Sequence, residues 1–261
     1  MSTFAVILPA AGSSSRFGTN KLAAEISGRT VLQRSLAAFL HRQDVSHVII
    51  AASDFAAVHD ALVRPPFSPA LLANPKLNFC NGGASRAQSV ALALAAVPGD
   101  VEWVAVHDAA RPLVSQALID RTLAAAQEHG AAAPALAVAY TIKRADAPLP
   151  AAVRQTMPRH DLWAMQTPQV MRRADLAKAI QTCPIPLEKV TDDVQFLELA
   201  GKPVWLVEGE EINLKITRPI DLKIAELMLA ELRQSGGDSQ EITFESIVGR
   251  APVAQSDLDV T

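Results

Sequence analysis

Two cysteines in 261 residues, Cys80 and Cys183, leave no material for a disulfide framework. Neither stands at metal-ligand spacing from another cysteine or a histidine, and isolated thiols of this kind are most often small buried side chains in a reducing compartment. An excess of positive charge is missing too. The 24 Lys and Arg are outnumbered by 27 Asp and Glu, for a formal net charge of −3. That balance argues against general nucleic-acid binding, which relies on a basic face that releases counterions. No uninterrupted apolar run is long enough to span a bilayer. The first residues pass into a strand pattern rather than through a basic start, an apolar core and a cleavage site. The expectation is a cytoplasmic protein with neither a membrane nor a nucleic-acid partner. The chain also lacks the Gly-Lys-Ser/Thr ending of a P-loop and the three spaced glycines of a dinucleotide-binding turn. No Ser-His-Asp order, metal-ligand cluster or close carboxylate pair emerges, so no residue is assigned as a metal ligand.

What is present is ordinary bulk composition with unusual local detail. Residues are 49% hydrophobic and 20% charged, enough for a sizeable core in one large α/β domain with or without an appendage. The chain opens on a short, fully apolar run, Phe4 to Leu8, which reads as a buried parallel strand. It is followed by Pro9-Ala10-Ala11-Gly12-Ser13-Ser14-Ser15-Arg16, with Lys21 close behind. Ala10, Ala11 and Gly12 let a ligand lie against the backbone, and converging N–H groups suit phosphate oxygens. Arg16 adds a bidentate fork and Lys21 a point charge at the rim. A plain strand-to-helix turn with two solvated cations has the same composition.

Strand and helix patterns then alternate. A helix over Val31 to Leu40 is capped by Thr30, a strand covers Val48 to Ala52, and Asp54 caps a helix reaching Val63. The proline-rich Arg64 to Pro69 is a surface connection. A strand at Leu77 to Cys80 leads through Gly82-Gly83 to a helix from Ser85. Trp103 to Val106 is a strand, and Ser115 caps a helix stopped by Gly130. Ala135 to Tyr140 is a further strand. From about residue 141 to 167 the apolar content falls. Two extended runs there, Ala152 to Met157 and Leu162 to Gln166, predict a β-arm that needs a partner for stability. Helices follow over Arg172 to Thr182 and Asp192 to Ala200, strands over Val204 to Val207 and Ile212 to Ile216, and a last helix from Thr217-Arg218-Pro219. The pattern predicts an α/β fold of Rossmann-like type: a mostly parallel sheet, helices on both faces, and a projecting β-arm. Residues 1–232 make one domain, and 233–261 read as a poorly ordered tail.

Ligands of such sheets bind beyond the carboxyl ends of the strands, so the loops after Leu8, Cys80 and Val106 belong to one crevice. In the third loop, Asp108 suits a cation or a sugar hydroxyl and Arg111 suits phosphate; an Asp–Arg pair that merely shapes the loop is the alternative. His107 reads as a packing histidine. In the second, the Gly83 backbone and the Ser89 hydroxyl suit a base or ribose. Lys215 is a conspicuous cation near the end of an apolar run, or else a snorkelling surface lysine. Thr141, Arg159 and Thr167 have no signature of their own. Cationic groups and backbone donors around phosphate-sized turns suit phosphoryl or nucleotidyl transfer.

These segments come in a recognisable order. Pro9-Ala10-Ala11-Gly12 with Arg16 and Lys21 is followed by Gly82-Gly83 with Arg86 and Ser89. Then come Val106-His107-Asp108-Ala109-Ala110-Arg111-Pro112, Leu162-Trp163 with Gln166-Thr167-Pro168-Gln169, and Thr191-Asp192-Asp193. Val207-Glu208-Gly209 and Asn213-Leu214-Lys215-Ile216-Thr217-Arg218-Pro219 complete the set. The chain from Phe4 to about Leu232 resembles the 2-C-methyl-D-erythritol 4-phosphate cytidylyltransferase family of non-mevalonate isoprenoid synthesis. The resemblance implies that CTP and methylerythritol phosphate are the substrates, with Mg²⁺ bound mainly through the CTP phosphates. It implies that Arg16 and Lys21 stabilise the transition-state charge, with Lys215 and Arg159 as further catalytic groups. Cytidine falls to Ala10, Ala11, Gly12, Gly83 and Ser89, and methylerythritol phosphate to Asp108, Arg111, Thr141, Arg159 and Thr167. A homodimer joined through the β-arm is implied as well. The chain departs from many relatives in Ser13-Ser14-Ser15, in Leu22-Ala23 after Lys21 and in Ala84. A ribitol 5-phosphate cytidylyltransferase or a non-catalytic nucleotide-binding relative would carry nearly the same motifs. A sugar-phosphate guanylyl- or uridylyltransferase would differ in nucleotide preference and in the loop after Gly12.

Overall fold

The computed structural model describes residues 3–12, 17–67 and 69–234. Its centre is β1 (Phe4–Pro9), every residue of which up to Leu8 is buried. Alternation decides how the two faces are filled. Phe4, Val6 and Leu8 enter one core and Ala5 and Ile7 the other. Strand β1 pairs in parallel with β4 (Val45–Ala52) and β6 (Trp103–Val106), and β4 pairs in parallel with β5 (Leu77–Asn81). Beyond β6 antiparallel strands enter the sheet. There β11 (Gln169–Arg172) runs antiparallel to both β6 and β7 (Ala131–Ala137). On the other edge of β7 lies the parallel strand β12 (Trp205–Glu208).

Helices α1 (Val31–Leu40), α2 (Phe55–Val63), α4 (Gln116–His129) and α7 (Pro219–Gln234) supply the core on the Phe4 side. On the Ile7 side lie α3 (Arg86–Ala95), α5 (Arg173–Gln181) and α6 (Val194–Leu199). The architecture is the α/β class expected, a mixed sheet of mostly parallel strands with helices on both faces. The Asp54 and Ser115 caps and the Gly130 stop are where composition placed them, and Ser85, the expected start of its helix, caps it as well. Asp54 accepts from the Ala57 N–H, Ser85 from Gln88 and Ser115 from Leu118, while Gly130 ends α4 at φ 95°. That left-handed conformation suits glycine.

Several expectations are corrected. The strand placed at Ala135 to Tyr140 is β7, starting at Ala131 directly after the Gly130 stop; an alanine run has no period that distinguishes strand from helix. Strand β11 was not expected, and it postpones the following helix to Arg173. The run from Leu162 to Gln166 is not part of a projecting arm. Its core, β10 (Trp163–Met165), pairs antiparallel with the end of β7 in the main sheet. The projecting hairpin is β8 (Ile142–Ala145) with β9 (Val153–Met157). A small hairpin, β2 (Glu25–Ile26) with β3 (Arg29–Thr30), also went unpredicted. Ile212 to Ile216 is no strand, for reasons given with the site below. Arg233 and Gln234 belong to α7 rather than to a tail, and residues 235–261 lie outside the described residues.

The entry to α1 is a closed hydrogen-bond unit. The Thr30 hydroxyl accepts from the Gln33 N–H at 3.1 Å, and Gln33 Oε1 accepts from the Thr30 N–H at 2.9 Å. Thr30 Oγ1 donates to the Ala61 carbonyl at 2.9 Å, so the cap also ties α1 to α2. Thr30→Ala is expected to lower unfolding free energy by about 1–2 kcal/mol, with Thr30→Ser restoring most of it, as read from urea unfolding midpoints.

Candidate active site

The carboxyl end of β1 and the loops that follow β5 and β6 open into a cleft of about 360 Å³. Small residues let its loops approach one another. The Ala10 N–H donates to the Ala51 carbonyl at 2.8 Å, and the Gly82 N–H to Ala52 at 2.8 Å. A Cβ on Gly82 would lie 2.3 Å from the Ala11 Cβ, and one on Gly83 would lie 2.4 Å from the Gln88 Cβ. Both turns therefore depend on the missing side chain. The Ser89 hydroxyl is committed to this turn, accepting from the Gly83 N–H at 3.0 Å and donating to the Ser85 carbonyl at 2.9 Å.

Lys21 sits on the cleft wall in a short turn fixed to the start of α1. The Leu22 N–H donates to Asn20 Oδ1 at 3.1 Å, and the Leu22 and Ala24 carbonyls accept from the Leu32 and Val31 N–H groups.

The same cleft holds a cluster of charges built on Asp108. Its Oδ2 is 2.9 Å from Lys215 Nζ and 3.2 Å from Arg111 Nε, and its Oδ1 accepts from Arg86 Nε at 3.1 Å. Burial pushes the Asp108 carboxyl up, but the Arg86, Lys215 and Arg111 charges together outweigh burial and hold it far below the usual carboxylate range. Burial pushes Arg86 down, and the Asp193 and Asp108 charges overturn that, leaving it above the ordinary arginine value. Arg111 is lowered by burial. Its Nη1 donates to the Asn213 carbonyl at 2.7 Å, and the Ile216 N–H donates to the Ala110 carbonyl at 2.8 Å. These bonds take up the Asn213 carbonyl and the Ile216 N–H, groups that a strand ladder would need, and the segment forms none.

His107 lies beneath this cluster, fully buried. Its Nε2 faces the Arg111 carbonyl at 3.1 Å, an acceptor, so Nε2 carries the proton. Nδ1 then accepts from the Thr167 hydroxyl at 3.0 Å, whose oxygen accepts from the Asp108 N–H at 3.0 Å. Burial lowers the His107 pKa to about 4.

Of the residues singled out from sequence, Ala10, Ala11, Gly12, Lys21, Gly83, Ser89, Asp108 and Lys215 line the cleft. Arg111 and Thr167 are buried behind Asp108. Thr141 and Arg159 are exposed at the base of the arm, with Arg159 Nη1 donating to the Ala139 carbonyl. Arg16 lies outside the described residues. Arg86, which also lines the cleft, carried no role in the sequence reading. Nor did Asp193, Gln166 or Asn213, whose amide donates to the Thr167 carbonyl at 2.8 Å. Their signal was membership of the ordered motifs quoted above, which gave them no individual role.

A cleft lined by small-residue turns and fixed positive charge suits nucleotidyl transfer, where positioning and charge stabilisation carry catalysis. Comparison with known proteins narrows the class. Residues 4–231 match the family model for 2-C-methyl-D-erythritol 4-phosphate cytidylyltransferase. A protein of that name from Rhodopirellula baltica is 38% identical over 241 residues, covering 87% of this chain and 95% of its own. Another, from Chromobacterium violaceum, is 40% identical over 229 residues, covering 86% and 96%. The crystal structure of the Thermus thermophilus enzyme of that name superposes with a TM-score of 0.70 at 36% identity, over 88% of this chain and 100% of that one. The Francisella tularensis structure gives 0.73 at 30% identity, over 87% and 99%. The chain belongs to the 2-C-methyl-D-erythritol 4-phosphate cytidylyltransferase family.

The buried imidazole sets a pH dependence. Below its ordinary value of 6.5, His107 binds a proton in the unfolded chain but not in the folded one until about pH 4. The unfolded state then holds more protons, so stability falls as pH drops through that window, by about 3 kcal/mol in all. The raised carboxyl of Asp193 acts in the opposite sense, and comparison with a variant separates the two. His107→Gln is expected to flatten the decline between pH 6.5 and 4 in urea unfolding; an unchanged slope would exclude His107 as its source.

Proposed function

We propose that the protein transfers the cytidylyl group of CTP to 2-C-methyl-D-erythritol 4-phosphate in non-mevalonate isoprenoid synthesis. An oxygen of the 4-phosphate attacks the α-phosphorus, a new P–O bond forms, and the bond to the bridging oxygen breaks. Pyrophosphate leaves with that oxygen. The observation that carries this reading is the meeting of two kinds of surface in one cleft. Small backbone turns at Ala10 to Gly12 and Gly83 line the same cleft as the Asp108–Lys215 pair, within a member of this family.

In this reading the turns at Ala10, Ala11, Gly12 and Gly83, the last held by Ser89, receive the nucleotide. Lys21 and Arg16 meet the negative charge that grows at the α-phosphate and the leaving group. Lys215, held on Asp108, faces the triphosphate and the acceptor. Arg111 and Thr167 hold Asp108 from behind, and Thr141 and Arg159 serve the acceptor phosphate. Among the described residues no group of three or more His, Cys, Asp or Glu is placed to hold a metal. The donor set fits an ion carried by the nucleotide, since Mg²⁺ needs only one or two carboxylates beside substrate phosphates. Both oxygens of Asp108 are engaged by Arg86, Arg111 and Lys215, so the ion would be held mainly through the nucleotide phosphates. When bound, the ion neutralises phosphate charge. No described helix is long and apolar enough to cross a membrane. The reaction is assigned to the cytoplasm, where nucleoside triphosphates are available.

The hairpin β8–β9 is the proposed dimer arm. Tyr140 is 83% and Leu149 81% exposed, apolar surface that a second subunit would cover. Arg159 would then complete the partner's site. Mixing Arg159→Ala with Lys215→Ala protein is expected to restore activity in exchanged heterodimers, since one site of each pair keeps both residues; no restoration despite proven exchange would refute the shared site.

The central test is pyrophosphate release from CTP and Mg²⁺, with methylerythritol phosphate and ribitol 5-phosphate offered separately. Release is expected with the first only. Release with ribitol 5-phosphate alone would keep the chemistry and change the substrate. Lys21→Ala is expected to lower kcat by roughly 100-fold or more while leaving the melting temperature unchanged.

A further inference from the structure

The charge cluster extends to a residue that the mechanism above does not use. Asp193 lies at the start of α6 and has no solvent exposure. Its Oδ2 is 2.7 Å from Arg86 Nη2, while the Nε of the same guanidinium donates to Asp108 Oδ1 at 3.1 Å. Beyond that ion pair, neither Asp193 oxygen has a hydrogen-bond partner among the described residues. Its backbone is held independently. Gln169 Oε1 accepts from the Asp193 N–H at 2.8 Å and from the Val194 N–H at 3.1 Å, and Gln169 Nε2 donates to Asp192 Oδ2 at 3.1 Å.

A buried carboxylate is costly unless paired, so its presence under the cleft calls for an explanation. Burial pushes Asp193 above the ordinary carboxylate range; Arg86 opposes this, and Asp108 and Asp192 add to the rise. The geometry supplies the explanation. A guanidinium is a planar fork, so anchoring Nε on one acid and Nη2 on another fixes its plane. Asp108 alone would leave Arg86 free to turn. With Asp193 included, Arg86, Arg111 and Lys215 face two carboxylates and the cluster keeps a formal charge of +1.

We propose that Asp193 is a positioning residue for the reaction: paired with Arg86 from beneath the cleft, it fixes the guanidinium and, through it, the Asp108 carboxylate on which Lys215 rests. Being fully buried, it acts on a nucleotide triphosphate only through Arg86. The inference rests on the cytidylyltransferase reading for its choice of ligand.

Asp193→Asn keeps the size of the side chain and removes its charge. It is expected to weaken CTP binding by calorimetry, and to lower kcat/KM for CTP, about tenfold each. A purely structural role would add that loss to any other. A role exercised through Arg86 predicts that Asp193→Asn costs less than about twofold in an Arg86→Gln background. Wild-type affinity and kcat/KM in a folded Asp193→Asn protein would overturn the proposal, as would the full loss repeated in the Arg86→Gln background. If Asp193→Asn does not fold, Arg86→Lys replaces it, because lysine keeps the charge but cannot hold two acids in one plane. A similar loss is then expected, and undiminished CTP binding would overturn the proposal. A wild-type protein that binds CTP but turns over neither acceptor would refute the assigned reaction, while the affinity measurements still decide the role of Asp193.

Discussion

The pairing of one buried carboxylate with three cations is the constraint on which this site depends. Asp108 is taken out of water at the end of β6, an arrangement that is unfavourable alone. Arg86 comes to it from the start of α3, Arg111 from its own loop, and Lys215 from the segment before α7. Three parts of the chain far apart in sequence are thereby fastened to one oxygen pair. The cations are fastened too, which leaves their charge fixed in direction before any ligand arrives. Preorganised charge of this kind needs no rearrangement when negative charge develops on a phosphate.

The supports of that carboxylate run deeper than the cleft. Thr167 binds the Asp108 N–H and His107, and His107 binds the Arg111 carbonyl. Gln166 receives the Glu210 N–H at 3.1 Å, and its Nε2 donates to the Glu210 carbonyl at 2.8 Å, joining the end of β12 to the same layer. Polar groups at this depth are tolerated because nearly all are paired. The nucleotide side of the cleft is built differently, from absence of side chains. Gly82 against Ala11, and Gly83 against Gln88, bring backbones together at distances that any Cβ would forbid.

Much of this was legible before the fold was known, where the cause is local. The apolar run of β1, the caps Thr30, Asp54 and Ser115, and the stop at Gly130 are decided within a few residues, and each agrees with the sequence. The ordered motifs made the family recognisable. Where partners are distant, reading failed. Strand β11 is short and has no turn signal; it exists because β6 and β7 flank it. Trp163 to Met165 looked like part of the arm because nothing local reveals that β7 offers it an edge. Ile212 to Ile216 had a strand's composition, but its backbone groups are used by Arg111 and Ala110.

By itself, then, the sequence determined the α/β class, the family and the small-residue turns, since these follow from apolar periodicity and from residue types at short spacing. Only the tertiary structure decided which charges meet. That Lys215 rests on Asp108, that Thr167 stands behind it, and that Arg86 spans Asp108 and Asp193 are matters of long-range packing; the Asp108–Arg111 pair, three residues apart, is the local exception. Ion pairs act over a few ångströms in space, whatever the distance along the chain, so no local pattern records them.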